Sequence, residues 1–322
     1  MKRTILPLVL ILSILSGCAF VNVTLTPAAK QLEEELIEGE GRPKLLLLDL
    51  DGMISFKEKS EGLLRTKPSA VAFFREALRK AEGDAAVAGV IVRINSPGGS
   101  VAASDTIYHD LVRFKEKRKV PVYAYIMEVG ASGGYYVAAA ADRIIASPAS
   151  VTGSIGVLAM KLNADGLFSK IGVVSETYTS GPKKDFWSPF RPSSPEEQKM
   201  LQGIIDGLFA RFIAVVHASR QKQLSEQEIR ALADGRIMTA GQARAAGLID
   251  ETAYLDETIE AMKKALKIEQ ARVVMYTRPG DFASTIYSGM PVPGPQVINL
   301  VSINAEELLS SAGVRFLYLW NP

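Results

Sequence analysis

The chain has 322 residues, 48% of them hydrophobic, with 37 Lys and Arg against 35 Asp and Glu and a net charge of +2. This balance excludes an electrostatic nucleic-acid footprint and a polybasic membrane patch. The single cysteine, Cys18, excludes a disulfide within the chain and a zinc–thiolate cluster, so the core alone must hold the fold.

Taken in chain order, Met1 to Gly17 reads as a secretion signal. Lys2 and Arg3 give the positive start, and Ile5 to Leu15 form an apolar run. That run falls short of the roughly 18 residues a membrane-spanning helix needs. Without Lys2 and Arg3 the remaining charges balance. Leu15-Ser16-Gly17-Cys18 resembles the lipobox of bacterial lipoproteins. The resemblance implies cleavage before Cys18 and a diacylglycerol on its thiol, and two acyl chains suffice for stable anchoring. An ordinary signal peptide followed by a buried cysteine is the plainer alternative.

Residues 18–43 are polar and acid-rich and read as a spacer ending in Gly41-Arg42-Pro43. The pattern then changes. Leu45 to Leu50 is a continuous apolar run, as expected of a strand buried on both faces. A helix is predicted over Pro68–Lys80, a strand over Ala88–Ile94, a helix over Val101–Lys117 and a strand over Val120–Met127. A small-residue helix over Ser132–Ala141 and a strand over Arg143–Ser147 follow. This alternation predicts an α/β domain with a largely parallel sheet. Val173 to Tyr178 is strand-like. Ser194-Pro195-Glu196-Glu197 has the cap, proline and acidic first turn of a long helix running to about Arg220. A shorter helix begins at Leu224-Ser225-Glu226-Gln227, and Gly235 to Asp250 reads as turn–helix–turn. The domain is expected over 44–268. Residues 269–322 form a Pro/Gly-rich arm and an apolar tail, Val314 to Trp320. No internal repeat is visible. The tail's apolar side chains favour burial, each by about 1.5–3 kcal/mol. They are expected on their own domain, on a neighbouring subunit, or in a peptide groove as a substrate mimic.

Three small-residue loops follow three predicted strands: Asn95 to Ser100, Gly130 to Tyr136, and Val151 to Gly156. Ligands bind beyond the carboxyl ends of strands in such sheets. Glycines there let a substrate approach the backbone, whose N–H groups then face a developing negative charge. One such loop alone reads equally well as a tight turn; three in corresponding positions point to a site. Gly130-Ala131-Ser132-Gly133-Gly134 fits G-x-S-x-G at a strand-to-helix turn, where Ser132 is either a nucleophile or a helix cap. A serine nucleophile needs a base. Helical rotation puts His109 with Asp105 and Glu116, and His217 near Lys199 and Asp206, on polar faces. A Ser-His-Asp triad is therefore poorly supported. A lysine can act as base if burial lowers its pKa. The candidate region is Thr179 to Pro189, with Lys183 and Lys184, where Phe186 and Trp187 could exclude water. Two solvated loop lysines are the plainer reading.

Together, Gly130 to Tyr136, Ser96-Pro97-Gly98-Gly99, Thr152 to Val157 and Ser180 to Asp185 resemble the signal peptide peptidase A family. Gly235 to Ala240 and Gly247 to Asp250 match its later signature, and the likeness spans roughly Lys44 to Lys267. It implies a Clp/crotonase-like ββα-spiral domain with a helical C-terminal part. It also implies a Ser-Lys dyad with a spacing of 52 residues, the separation of Ser132 and Lys184. In the family the base precedes Ser or Asp, which favours Lys184 over Lys183. By the same resemblance Gly99 and Gly133 supply the oxyanion hole and Ser154 orients the lysine. No metal or organic cofactor is implied, and substrates are remnant signal peptides. The assembly implied is a homo-oligomeric ring, tethered to the membrane by lipid and facing outside the cytoplasm. The alternatives on the same fold are a crotonase-like acyl-CoA enzyme and a catalytically inactive membrane scaffold.

Overall fold

The computed structural model describes residues 31–61, 65–279, 284–288 and 316–320. The predicted signal, Cys18 and much of the C-terminal arm lie outside them. The elements are β1 (Glu33–Glu38), β2 (Lys44–Asp51), β3 (Lys59–Glu61), β4 (Arg65–Lys67), α1 (Ala70–Glu82), β5 (Val87–Ser96), β6 (Gly98–Ser100), α2 (Val101–Arg118), β7 (Val122–Ala131), α3 (Gly133–Ala138) and β8 (Arg143–Ala146). They continue as β9 (Val151–Gly153), β10 (Leu158–Ala159), α4 (Asp165–Lys170), α5 (Pro195–Arg220), α6 (Glu226–Leu232), β11 (Ile237–Thr239), α7 (Ala240–Ala245), β12 (Glu251–Thr252), α8 (Leu255–Leu266), β13 (Arg272–Thr277) and β14 (Phe316–Leu319).

The main sheet runs β1-β13-β2-β5-β7-β8-β12, with β9 paired to β7 and β11 to β9. From β13 to β12 every pairing is parallel. Strand alternation divides the apolar run in β2 between two cores. Leu46, Leu48 and Leu50 pack with α1, α2 and α3, while Leu45 and Leu47 pack with Ile259 and Met262 of α8. Burial on both faces is why β2 reads as an unbroken hydrophobic run. Because the strands run parallel, the predicted loops after β5 and β7 emerge at the same end of the sheet.

Two expectations need correction. The spacer, read over 18–43, reaches too far, and the domain limits 44–268 are too narrow. Glu33–Glu38 pairs antiparallel with β13, and β13 pairs parallel with β2, so residues on both sides of those limits belong to the sheet. β1 is an acidic, mostly exposed edge strand, a composition that protects an edge and also looks like a tether. Val173 to Tyr178 is not a strand; these residues are exposed and pair with no strand among the described residues. Val173 and Val174 have β-favouring side chains, but no strand edge lies beside them.

Arg93 of β5 is fully buried. Its guanidinium donates to both carboxylate oxygens of Asp49, at 2.6 and 2.7 Å, to the Ser288 carbonyl at 2.7 Å and to the Ile286 carbonyl. One side chain thus fastens residues 284–288 to the sheet. Asp49→Ala should destabilise the fold by about 3–5 kcal/mol, because it leaves a buried cation without its counter-ion. Chemical denaturation checks this: a loss below 1 kcal/mol on the scale of an exposed pair would mean that Arg93 is compensated elsewhere.

Candidate active site

Ser132 lies between β7 and α3. Its backbone N–H donates to the Gly153 carbonyl at 2.8 Å, and its own carbonyl accepts from Tyr136 N–H at 2.8 Å. These bonds hold it at φ 52°, ψ −113°, a conformation costing of order 1–3 kcal/mol for a residue with a side chain. The side chain does not cap α3, although the residue stands at the N-cap position. The cap reading of this serine therefore fails, and its hydroxyl is left for other work. β9 continues the same end of the sheet, with Ala131 opposite Gly153. Ser154 follows, also buried and at φ 50°, with its N–H on the Arg236 carbonyl at 2.7 Å. Ser132 and Ser154 are thus adjacent in register.

The loop after β5 completes the group. Ile54 N–H donates to Gly98 O at 2.9 Å, and Ser100 N–H donates to Ile54 O at 2.8 Å. Successive residues of a strand point their polar groups to opposite edges. The N–H and C=O of Gly99 therefore face away from Ile54. Any side chain on Gly99 would strike the Ile54 backbone. Gly98, at φ 102°, has a second constraint: a Cβ there would collide with the Tyr318 carbonyl and come 2.7 Å from Gly133 N. Only glycine lets three backbones meet here.

The third backbone is the chain's own tail. β14 lies between β6 and β10, antiparallel to both, with Tyr318 opposite Gly99 and Leu317 opposite Ser100 and Leu158. Trp320 N–H donates to Pro97 O at 2.8 Å. The Tyr318 carbonyl consequently lies beside Gly99 and Gly133, 3.1 Å from where a Gly133 Cβ would stand. Two N–H groups on different elements, Gly99 on β6 and Gly133 at the start of α3, border a carbonyl next to Ser132. The sequence reading named Gly99 and Gly133; it did not identify the pocket around Tyr318. That pocket contains Tyr136 and Phe212, with ring centroids 5.0 and 4.6 Å from that of Tyr318.

Lys184 is not joined to this group by any hydrogen bond or ion pair among the described residues. It lies exposed in the turn after Gly181, whose carbonyl accepts Lys184 N–H at 3.0 Å. Its neighbours are engaged. Lys183 pairs with Glu196 at 2.6 Å. Asp185 is held by Arg191, which also grips Glu197, the residue closing the capping box of α5. Arg191 so ties the lysine turn to the start of α5. Trp187 is buried beside Phe186, but the pair does not shield Lys184, which stays exposed. A lysine not singled out from sequence, Lys161, joins the same cluster through the Arg191 carbonyl at 2.9 Å and Ser193 Oγ at 3.0 Å. Burial, then the charge of Arg191, lowers its pKa. His109 is exposed and His217 half-buried, and among the described residues neither is hydrogen-bonded to Ser132. No cluster of three His, Cys, Asp or Glu is placed to hold a metal among the described residues.

A largely parallel α/β sheet that brings three such loops to its carboxyl end is a fold of the Clp/crotonase-like type. Residues 114–269 match the model of peptidase family S49. A protein named as a signal peptide peptidase SppA in Enterococcus faecium is 36% identical over 76% of this chain and 70% of its own length. The chloroplastic serine protease SPPA of Arabidopsis thaliana is 31% identical over 85% of this chain and 40% of its own. The structure of ClpP1 from Listeria monocytogenes covers 65% of this chain and 92% of its own at 16% identity, but its TM-score of 0.42 is too low to add to the assignment. The chain belongs to peptidase family S49, among the signal peptide peptidases A.

Hydrogen bonds from Arg191, then from the N–H of Ser194, hold the Glu197 carboxyl down to about 2 from the usual 4.5. Its folded value is depressed, so the stability it contributes is present above pH 4.5 and is lost as pH falls towards 2. Glu197→Gln should flatten that part of the melting-temperature profile. An unchanged slope would show that Arg191 does not couple this acid to the fold.

Proposed function

We propose that the chain is a membrane-tethered serine endopeptidase that cleaves extended apolar peptides, remnant signal peptides among them, through a Ser132–Lys184 dyad. The observation that carries this reading is the strained Ser132 turn beside two backbone N–H groups that border a bound peptide carbonyl. A substrate strand takes the place between β6 and β10, by strand addition. Ser132 Oγ attacks its carbonyl while neutral Lys184 accepts the hydroxyl proton. Gly99 and Gly133 N–H stabilise the oxyanion. Lys184 then protonates the leaving amine, and water, giving up a proton to the same lysine, hydrolyses the acyl-enzyme and frees Ser132. Ser154, adjacent to Ser132, orients the lysine. Membership of a peptidase family counts against the acyl-CoA alternative, and labelling of Ser132 by an active-site serine probe would separate the enzyme from an inactive scaffold.

A lysine base has to be neutral, and Lys184 is exposed in the single chain. Its burial therefore comes from association of copies, as the ring reading requires. The stretch from Leu158 to Tyr178, which precedes it in the chain, carries exposed apolar side chains, Leu162 at 78%, Val174 at 82% and Tyr178 at 90%, which a neighbouring copy would cover. The first half of α5 adds Met200 and Ile204. By length and composition α5 could cross a membrane. Phe212, Ile213, Val215 and Val216 of its second half are in the core, and we read it as a core and interface helix. Membrane tethering is assigned to the lipid on Cys18.

Ser132→Ala and Lys184→Ala should each abolish peptide cleavage in chains that still fold, and the double variant should be little worse than either. kcat/KM should rise with pH, as a base that must be neutral requires, and be indifferent to replacing both histidines. Lys183→Ala and Lys161→Ala serve as controls: full activity in Lys184→Ala with loss in either control would move the base. Separately, wild type should partition into detergent and Cys18→Ser should not. Equal partitioning would sink the lipid anchor.

A further inference from the structure

The segment that carries Lys184 has no strand partner among the described residues and takes its form from short turns. Lys184 N–H returns to the Gly181 carbonyl, Phe186 N–H to the Lys183 carbonyl at 3.2 Å, and Ser188 N–H to the Asp185 carbonyl at 3.0 Å. Such turns fix the shape of the loop but not its place on the protein. Its place is set one residue from the lysine. Arg191 Nε and Nη2 donate to the two carboxylate oxygens of Asp185, at 2.6 and 2.9 Å. Nη2 and Nη1 donate to the two oxygens of Glu197, at 2.6 and 3.0 Å, and Nη1 also donates to the Pro192 carbonyl at 3.0 Å. Every N–H of the guanidinium is thereby used, and one planar fork grips two carboxylates. An ion pair between two flexible surface side chains would fix little. This one is anchored at its far end. The Glu197 side chain is only 3% exposed and also accepts Ser194 N–H at 2.8 Å, so it belongs to the first turn of α5. α5 continues unbroken to Phe212 and Ile213 in the core. Phe212 packs on Tyr136, whose N–H holds the Ser132 carbonyl. Lys183, by contrast, pairs with Glu196, which is 73% exposed.

We propose that Arg191 is a positioning residue for the general base: through Asp185 it fixes the Lys184 turn to α5, the helix that also packs behind the serine. This rests on Lys184 being the base. Neither Arg191 nor Asp185 lines the apolar channel of Met53, Ile54, Phe56, Val101 and Leu317 beside β14. Their loss therefore acts on the chemical step and spares substrate binding. A lysine cannot stand in for Arg191, because an ammonium has no planar fork to hold both carboxylates in one geometry. Asp185→Ala is the sharper change: it cuts the link to the turn and leaves Arg191 on Glu197.

The test measures kcat and KM separately on a fluorogenic apolar peptide. It uses the full-length chain as wild type, Asp185→Ala, Arg191→Lys, the double variant and Lys184→Ala. Melting temperature and size in solution are measured for each, and kinetics are run well below the lowest melting temperature. kcat should fall by about tenfold to 100-fold in Asp185→Ala and in Arg191→Lys, on the scale of a catalytic group displaced by about 1 Å. KM should stay within about twofold, since the lost interaction is not one of uniform binding. The double variant should be no worse than Asp185→Ala alone, because both changes cut one link. If Arg191→Lys does not fold, Asp185→Ala, which keeps the cap of α5, decides by the same loss of kcat. Wild-type kcat in the folded variants, with only the melting temperature lowered, would overturn the proposal while Lys184→Ala stays inactive. So would a loss confined to KM, or a loss of kcat that tracks loss of assembly. An active Lys184→Ala would instead remove the base, and the proposal with it.

Discussion

The N–H and C=O of Gly99 face away from the Ile54 backbone that its neighbours Gly98 and Ser100 engage. Buried backbone polar groups need partners, and leaving one unmade costs about 1–3 kcal/mol. β6 is three residues long; one side meets only the bridge to Ile54, and the other is paired only when something lies between it and β10. In this molecule that something is the chain's own tail. The same requirement that recruits the tail is what would recruit a substrate in the proposed reading, through an unfinished sheet edge. Specificity then falls to the side chains that alternate along the added strand.

The rest of the site depends on the parallel sheet delivering three loops to one end. β5 leads into Gly98 and Gly99, β7 into Ser132, and β9 into Ser154. The serine's left-handed backbone is unfavourable in isolation. It persists because Gly153 and Tyr136 hold its N–H and C=O in place and the residues of α3 behind it are buried. Local strain is sustained here by a rigid core, in keeping with a nucleophile that must be presented without reorganisation.

By contrast, the segment with Lys184 is bound to the body mainly by polar links. Arg191 connects Asp185 to Glu197, Lys183 reaches Glu196, and Lys161 reaches the Arg191 carbonyl. Apolar side chains of the neighbouring stretch, Leu162, Val174 and Tyr178, face solvent. Under the proposed ring, a neighbouring copy would cover this surface. The serine half of the proposed chemistry is built within the fold, whereas the environment of the lysine half depends on what packs against it.

Apolar runs and turn residues in the sequence were enough to specify the α/β class, most of the central strands and helices, and the loops with Ser132, Gly99, Gly133 and Ser154, because burial on both faces and tight turns leave local marks. The resemblance added the pairing with Lys184, which spacing in the sequence supports but contact in the single chain does not. Edge elements were misread: β1 looks like a tether because an edge strand is acidic and half exposed, and Val173 to Tyr178 looks like a strand because β-branched side chains say nothing about whether an edge is near. The tail's apolar character announced that it would be buried, not where. Its place beside Gly99, and the seating of Tyr318 against Tyr136, Phe212 and the Leu208 carbonyl, join residues more than a hundred positions apart. Such contacts arise from chain packing in three dimensions, and no local pattern encodes them.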